Sequence, residues 1–379
     1  MPKNLRQPKI SGRTRTRLYM AALVAKNLGV RRSVSGAPKN VLISLYYGGL
    51  GDTLLLTPLI AACRLRYPSA RITVTMPPAY VPLYSGRPYE SDAIGFDVNE
   101  WSTVEHIRDN GPYDLALVPG ENRQAWLARA VGARWVRGFV GDRFRYRLPL
   151  DEAIPFPKNL EPFSDMWARL AGGPPAERYN PEHWPPPTAR GVAPALPLSP
   201  YVVLHVGASS SARMWEEAKW RQLGDALQGA GLTVVLTAGP GQASLIMKIG
   251  ARQSWQQYPG NLSLVGMWHL LKGAALVIAP DTGIAHLAKV TQTPVIVLFG
   301  QCDPRLYDPG AFWAGQSYRA VSIGKLACHD QDWFSKRPSP LGDLKRCMRT
   351  AEECQHGQRC MKDIEAKEVA QVAMAFIAQ

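Results

Sequence analysis

The chain has 379 residues, 46% of them apolar, a length and composition that suit two domains of ordinary size. It holds no run of 18 apolar residues, so nothing reads as a helical membrane span, and its six cysteines are too sparse for a disulfide framework. The formal net charge is +14, yet residues 1–39 contain ten Lys or Arg and no acid, which leaves only +4 for the other 340 residues.

That basic segment favours an acidic partner: phosphorylated lipid, anionic membrane or nucleic acid. A solvated tail is the plain alternative. Residues 18–28 suit a short helix with Leu18, Ala21, Ala22, Ala25 and Leu28 along one face, and its basic flanks would fit a membrane surface. The segment lacks the apolar core and small-residue cleavage site of a secretory signal, so a cytoplasmic protein is expected.

The folded part is expected from residue 40. "VLISLYY" (41–47) reads as a buried strand, "LLLTPLIAACRLRY" (54–67) as a helix and "ARITVTM" (70–76) as the next strand, a βαβ unit. The helix has two candidate starts: Asp52 as cap, or Thr57 as cap with Pro58 in the first turn. A strand at 114–119, a helix at 123–133 and a strand at 135–140 follow. The proline-rich stretch 181–200 reads as a linker. The pattern then restarts: strand 201–206, loop 207–215, helix 216–229, strand 232–237 and a helix near 241–252. After "LSLVG" come a helix at 267–273, strand 275–279, a helix from 282, strand 295–300 and a last helix at 363–378, with Ile364, Val369, Val372, Ala373 and Phe376 as buried positions. The expected organisation is a basic extension (1–39), an α/β domain (40–180), the linker, a second α/β domain (201–362) and the terminal helix (363–379).

Ligands of parallel α/β sheets bind beyond the carboxyl ends of the strands. After the first strand stands Gly48-Gly49-Leu50-Gly51-Asp52. This is neither G-x-G-x-x-G nor a P-loop, and the next strand ends in Met76-Pro77 rather than in a ribose-binding acid. Nicotinamide and flavin chemistry, including that of a nucleotide-sugar epimerase, is therefore disfavoured. The loop reads as a place where a large substrate approaches bare backbone. Asp52 at its rim either caps the helix or accepts a proton from a substrate hydroxyl.

The second half supplies "HVGASSSARMW" (205–215) and "APDTGIAHLAKV" (279–290) at two strand ends. Asp281 reads as an N-cap, and the amides near Thr282, Gly283 and Ile284 as an anion site. His286 lies one turn on, and Arg213 can neutralise a diphosphate. Each has a plain structural alternative: cap, helix packing, surface charge. Cys328, Cys347, Cys354 and Cys360 cluster beside His329 and His356, but without a C-x-x-C pair, so reduced structural cysteines are expected over a zinc site.

These residues resemble glycosyltransferase family 9, the heptosyltransferases of lipopolysaccharide core synthesis. "GGLGDTLLLTPLIAACRLRYPSARITV", "GASSSARMWEEAKWRQL" and "VIAPDTGIAHLAKVTQTPVIVLFGQCDP" are similar to its three motifs, and the likeness runs from about residue 40 to "CMKDIEAKEV" near the C-terminus. The resemblance implies a GT-B fold, two Rossmann-like domains with parallel sheets facing across a cleft. It implies inverting, metal-independent transfer from a nucleotide sugar, ADP-heptose, held by the C-terminal domain, to an anionic glycolipid held by the N-terminal one. Asp52 would be the catalytic base. Ser209, Arg213, Asp281, Thr282, Gly283 and His286 would bind the donor phosphates, and Gly48, Gly49 and Gly51 would form the acceptor loop. Gln242 stands where the family often places an acid against the nucleotide ribose, and Arg213 where it commonly has Lys. The implied place of work is the inner face of the inner membrane, with no cofactor, no metal and no nucleic acid. A non-catalytic sugar- or glycolipid-binding protein on the same fold is the alternative.

Overall fold

The computed structural model describes residues 11–29, 33, 36–46, 48–141, 143–157, 159–188, 196–197, 200–331, 333–334, 337–338 and 346–378. The chain forms two compact units. One comprises Met1–Tyr47, Cys63–Val81 and Glu90–Pro155; the other comprises Gly48–Ala62, Pro82–Tyr89 and Phe156–Gln379. The segment that carries the glycine loop and Asp52 thus belongs with the second unit.

The first unit contains strands β1 (Asn40–Ser44), β2 (Arg71–Met76), β3 (Asp92–Gly95), β4 (Leu115–Val118), β5 (Trp135–Phe139) and β6 (Glu152–Ile154). They pair in parallel in the order β3-β2-β1-β4-β5-β6. Val41, Leu42 and Ile43 are fully buried, as expected of central strands covered on both faces. The second unit repeats the order with β7 (Tyr201–His205), β8 (Thr233–Ala238), β9 (Gln256–Pro259), β10 (Leu276–Pro280), β11 (Val295–Leu298) and β12 (Tyr318–Val321), arranged β12-β11-β10-β7-β8-β9. In each sheet the order reverses beside the first strand of the unit, between β1 and β4 and between β7 and β10. These switch points open the crevices in which such folds bind ligands. The two-sheet α/β architecture expected from the sequence is present.

Up to residue 290 the α-helices are α1 (Gly12–Lys26), α2 (Leu50–Leu54), α3 (Thr57–Arg66), α4 (Trp101–Asp109), α5 (Ala125–Ala130), α6 (Phe144–Arg147), α7 (Phe163–Ala168), α8 (Glu217–Gly229), α9 (Ala243–Ile249), α10 (Leu264–Lys272) and α11 (Gly283–Val290), among the described residues.

Three expectations need correction. First, residues 54–67 are not one helix. Pro58 has no N–H for the Leu54 carbonyl, so the ladder breaks there, and the Thr57 hydroxyl donates to that carbonyl instead at 2.6 Å. The result is a separate α2 that carries Asp52, followed by α3 with Pro58 in its first turn.

Second, the basic segment is not a solvated tail over residues 12–29. Ser11 caps α1, which begins six residues earlier than expected, and Leu23 joins the core cluster of Leu42, Ile94, Phe96, Val104 and Ile107. Tyr19 donates to Glu105, and the Asn27 amide donates to the carbonyls of Arg129 and Ala130. Leu18, Ala21, Ala22, Ala25 and Leu28, the positions expected to share a face, are exposed. Residues 1–10 lie outside the described residues.

Third, the helix expected at 267–273 begins earlier, at Leu264 within "LSLVG", and before it lies an unexpected strand, Gln256–Pro259, a polar edge strand with little apolar signal. The proline-rich stretch does not hang free at its start, because Trp184 is buried against Tyr84 and Trp268. Residues 189–195 and 198–199 of it lie outside the described residues. The terminal helix Ala366–Ile377 packs Val369 and Ala373 into the second core, with Val372 and Phe376 partly buried against it.

Candidate active site

The site is assembled in the second unit from α2, the loop after β7, the start of α11 and the loop after β11. In α2 the Gly49 amide donates to the Asp52 carboxylate at 2.8 Å. This is half of a capping box, and the negative charge near a helix N-terminus is favourable. Burial nonetheless pushes the Asp52 carboxyl above its ordinary range. The Gly49 bond and the charges of Arg213 and Arg346 oppose that shift, while Asp281 adds to it. A half-buried carboxylate held above its usual pKa is a stronger base than an ordinary aspartate.

The glycines around Asp52 serve packing. A Cβ on Gly48 would stand 2.9 Å from the Asp52 Cβ, and one on Gly51 would stand 2.8 Å from the His286 ring. A Cβ on Gly283 would come within 2.5 Å of Leu50 and 2.9 Å of the Gly51 nitrogen. Bare backbone at Gly51 and Gly283 therefore lets α2 and α11 touch, which brings Asp52 to the first turn of α11. Gly49 meets only the Asp52 carboxylate, at 4.0 Å, and is exposed.

Arg213 ends the short helical turn Ser211–Arg213 after β7. Its Nη1 donates to the Asp281 carbonyl at 3.1 Å and lies 3.6 Å from the Asp281 carboxylate. The expectation that Asp281 caps α11 is corrected: α11 begins at Gly283 with Thr282 at the N-cap, and no side chain caps it. The Asp281 amide still pairs with Leu298, so the residue prolongs β10, and its buried side chain turns to Arg213. Burial raises the Asp281 carboxyl against the pull of Arg213 and Lys289. His286 is buried, and burial, with Lys289 and Arg213 nearby, holds it well below its usual value, so the ring is neutral at pH 7.

Arg213 Nε, Thr282 Oγ1 and His286 Nδ1 are buried without a hydrogen-bonding partner. Such atoms are rare in folded proteins and call for an explanation. Here all three belong to residues that the sequence marks as anion-binding, at a helix start and at the β7/β10 switch point. A bound oxyanion would satisfy the Arg213 and Thr282 donors.

Ser209 is exposed at the start of the same loop. Gln242 is placed differently from a free ribose contact: its Oε1 accepts from the Gly239 amide at 3.2 Å and its Nε2 donates to the Ala208 carbonyl at 2.7 Å. It ties the loops after β7 and β8 together. Sequence reading missed Arg346, whose charge opposes the rise of the Asp52 carboxyl, and Cys302 and Tyr307, which follow β11 and which burial keeps protonated. The Tyr307 ring stands 5.7 Å from that of His286. The signal available was position, since Cys302 and Tyr307 also lie beyond the carboxyl end of a central strand.

The profile of glycosyltransferase family 9 (heptosyltransferase) matches residues 102–331. Lipopolysaccharide heptosyltransferase 3 of Escherichia coli is 27% identical over 319 residues, spanning 76% of this chain and 93% of that protein. The structure of E. coli ADP-heptose lps heptosyltransferase II aligns with a TM-score of 0.66 at 19% identity, over 90% of this chain and 99% of that one. The iron-containing dodecameric heptosyltransferase TibC from enterotoxigenic E. coli, solved in complex with ADP-D-beta-D-heptose, aligns with a TM-score of 0.57 at 19% identity, over 90% and 77%. In the present chain Cys328, Cys347, Cys354 and Cys360 line one small pocket with His356. Among the described residues no three His, Cys, Asp or Glu side chains gather closely enough to hold a metal ion.

Proposed function

The chain belongs to glycosyltransferase family 9, and from that premise we propose that it transfers heptose from ADP-heptose to a lipopolysaccharide core or related anionic glycolipid. The observation that carries this reading is the set of buried, unpartnered polar atoms on Arg213, Thr282 and His286 beside the raised Asp52 carboxyl. The curated relatives named as lipopolysaccharide heptosyltransferases support the choice of sugar and acceptor.

The reaction is a single displacement that inverts the anomeric centre. Asp52 takes the proton of the acceptor hydroxyl as that oxygen attacks the anomeric carbon. The bond to the diphosphate breaks, and negative charge collects on the departing phosphate oxygens. Arg213, Ser209 and the amides at the start of α11 meet that charge. Preorganised donors of this kind supply a large electrostatic part of catalysis. Positive charge thus comes from a guanidinium and a helix N-terminus, and a metal is not required for it. His286, held neutral, can donate or accept without adding charge. Gln242 shapes the nucleotide loop by joining its two strands' ends.

Work at the surface of the inner membrane, without nucleic acid, completes the reading, because a glycolipid acceptor is presented there and the first 39 residues are strongly basic. The test is a transfer assay with ADP-heptose beside UDP- and GDP-sugars, on heptose-deficient and complete core acceptors. A response to ADP-heptose alone, with product of inverted configuration, is expected. Transfer from a UDP-sugar in preference would overturn the choice of donor.

A further inference from the structure

The first sheet has its own switch point, between β1 and β4, and a cavity of about 390 Å³ lies there within the first unit. That volume is in the range of ligand pockets, roughly 300–1,000 Å³. Tyr46 reaches it from just past β1, Phe96 and Val98 from past β3, and Trp126 from α5 after β4. The remaining wall is α1, through Thr16, Met20, Ala21 and Val24. This wall is fixed, since Leu23 and Asn27 hold α1 to the unit. The family profile begins at residue 102, so α1 lies outside the matched segment.

The lining combines two chemistries. Met20, Val24, Phe96, Val98 and Trp126 make it apolar, while Arg13, Arg17 and Arg123 bring positive charge. Arg13 and Arg17 are exposed, and Arg123 also pairs with Glu121 at 2.6 Å. Tyr146, on α6, closes another side. Phe144 and Leu148 nearby are 75% and 51% exposed and flank Arg145 and Arg147. Exposed large apolar side chains interleaved with arginines are costly in water and suited to a membrane interface.

We propose that this cavity is a lipid seat: it takes the acyl chain of an acidic phospholipid from a membrane surface, with Arg13, Arg17 and Arg123 at the phosphate. The apolar walls suit an alkyl chain, and the arginines select an acidic headgroup. The proposal rests on the membrane-surface part of the reading above and adds a defined site to it. Phe144, Leu148 and the exposed face of α1 then lie in the headgroup layer around that one lipid.

Monododecyl phosphate below its micellar concentration is the probe, titrated by calorimetry into the full chain. One saturable site is expected, with octyl phosphate weaker because each buried methylene contributes to binding. Inorganic phosphate and dodecyl maltoside should each bind at least tenfold more weakly. Ala21→Trp fills the cavity without changing charge and should weaken dodecyl phosphate at least tenfold. Arg17→Ala should weaken it about fivefold, the effect of one cation near such a surface. Circular dichroism checks that both variants fold. Inorganic phosphate binding as tightly as dodecyl phosphate would reveal a plain anion site and overturn the proposal, as would unchanged binding by Ala21→Trp. Flotation on vesicles of phosphatidylglycerol and phosphatidylcholine separates this from the broader reading. If Ala21→Trp floats as well as wild type, the seat is refuted while membrane attachment stands.

Discussion

Gly51 lies so close to His286 that an added Cβ would stand 2.8 Å from the Cδ2 of the ring. The same closeness recurs at Gly283, whose Cβ would meet Leu50 at 2.5 Å. The two sequence motifs, 48–59 and 279–290, are therefore halves of one helix–helix contact. Gly283→Ala gains helix propensity of about 1 kcal/mol but forces backbone apart, an overpacking cost of roughly 1–3 kcal/mol. We expect lower thermal stability and weaker ADP binding from Gly283→Ala. Gly51→Ala presses on a ring that has limited room to move, and should lower turnover more than ADP affinity. Unchanged melting and ADP titration in Gly283→Ala would mean that the contact relaxes without cost.

Asp52→Asn keeps the size of the side chain and an oxygen for the Gly49 amide, so α2 should persist. It removes the proton acceptor. Turnover should fall roughly 10²–10⁴-fold, the range for general acid–base catalysis, with ADP affinity little changed. The pH profile of wild-type kcat/KM carries a further signature. Because burial raises the Asp52 carboxyl, activity should fall on the acid side with an apparent pKa above that of an ordinary aspartate. Near-normal turnover in Asp52→Asn would leave Asp52 as a helix-start residue only.

Arg213→Ala should act on binding as well as rate. It removes charge from the diphosphate site and leaves the buried Asp281 carboxylate without the guanidinium 3.6 Å away. A charge-assisted hydrogen bond contributes about 1.5–3 kcal/mol, or roughly ten- to a hundredfold in affinity. Arg213→Lys restores the charge but not the fork that can hold both the Asp281 carbonyl and a phosphate oxygen. We expect it to recover ADP binding in part. Calorimetric titration of ADP into the three proteins distinguishes these outcomes; equal affinity in Arg213→Ala would remove Arg213 from the site.

The pattern of strand, loop and helix in the two central βαβ stretches was legible because fully buried strands are apolar runs and the loops after them are rich in glycine and hydroxyls. That reading found the loops of Asp52, Arg213 and Asp281. It did not find the job of the glycines, because a close contact between Gly283 and Leu50 joins residues more than 230 positions apart and leaves no local signal. Edge strands such as Asp92–Gly95 and Gln256–Pro259 escaped notice since they are short and partly polar. The helix α1 was hardest. Its basic outer face dominates composition, while its docking depends on Leu23 and Asn27, whose partners are far away in sequence. That packing also means that deleting residues 1–39 would strip the first core, so point variants are the sounder test of the membrane role.

Lys289 offers a pH test of the second unit. It is buried on α11, donates to the Tyr307 carbonyl and lies 4.9 Å from the centre of the Tyr318 ring. Burial lowers its pKa to about 7, against the pull of Asp308, Asp281 and Asp165. The folded protein thus holds this proton less tightly than the unfolded chain, whose value is about 10.5. Between those values the unfolded state binds more protons, so stability rises as pH goes up, and below about 7 the full cost of burying the charge is present. Lys289→Met keeps the length of the side chain and removes the titration. Nearby carboxyls that burial raises titrate in both proteins, so the difference between the two isolates the amine. Thermal melts from pH 6 to 9 should show wild type gaining on Lys289→Met as pH rises. A difference that stays constant across that range would show that Lys289 keeps an ordinary pKa, and that its charge is already compensated by the three aspartates.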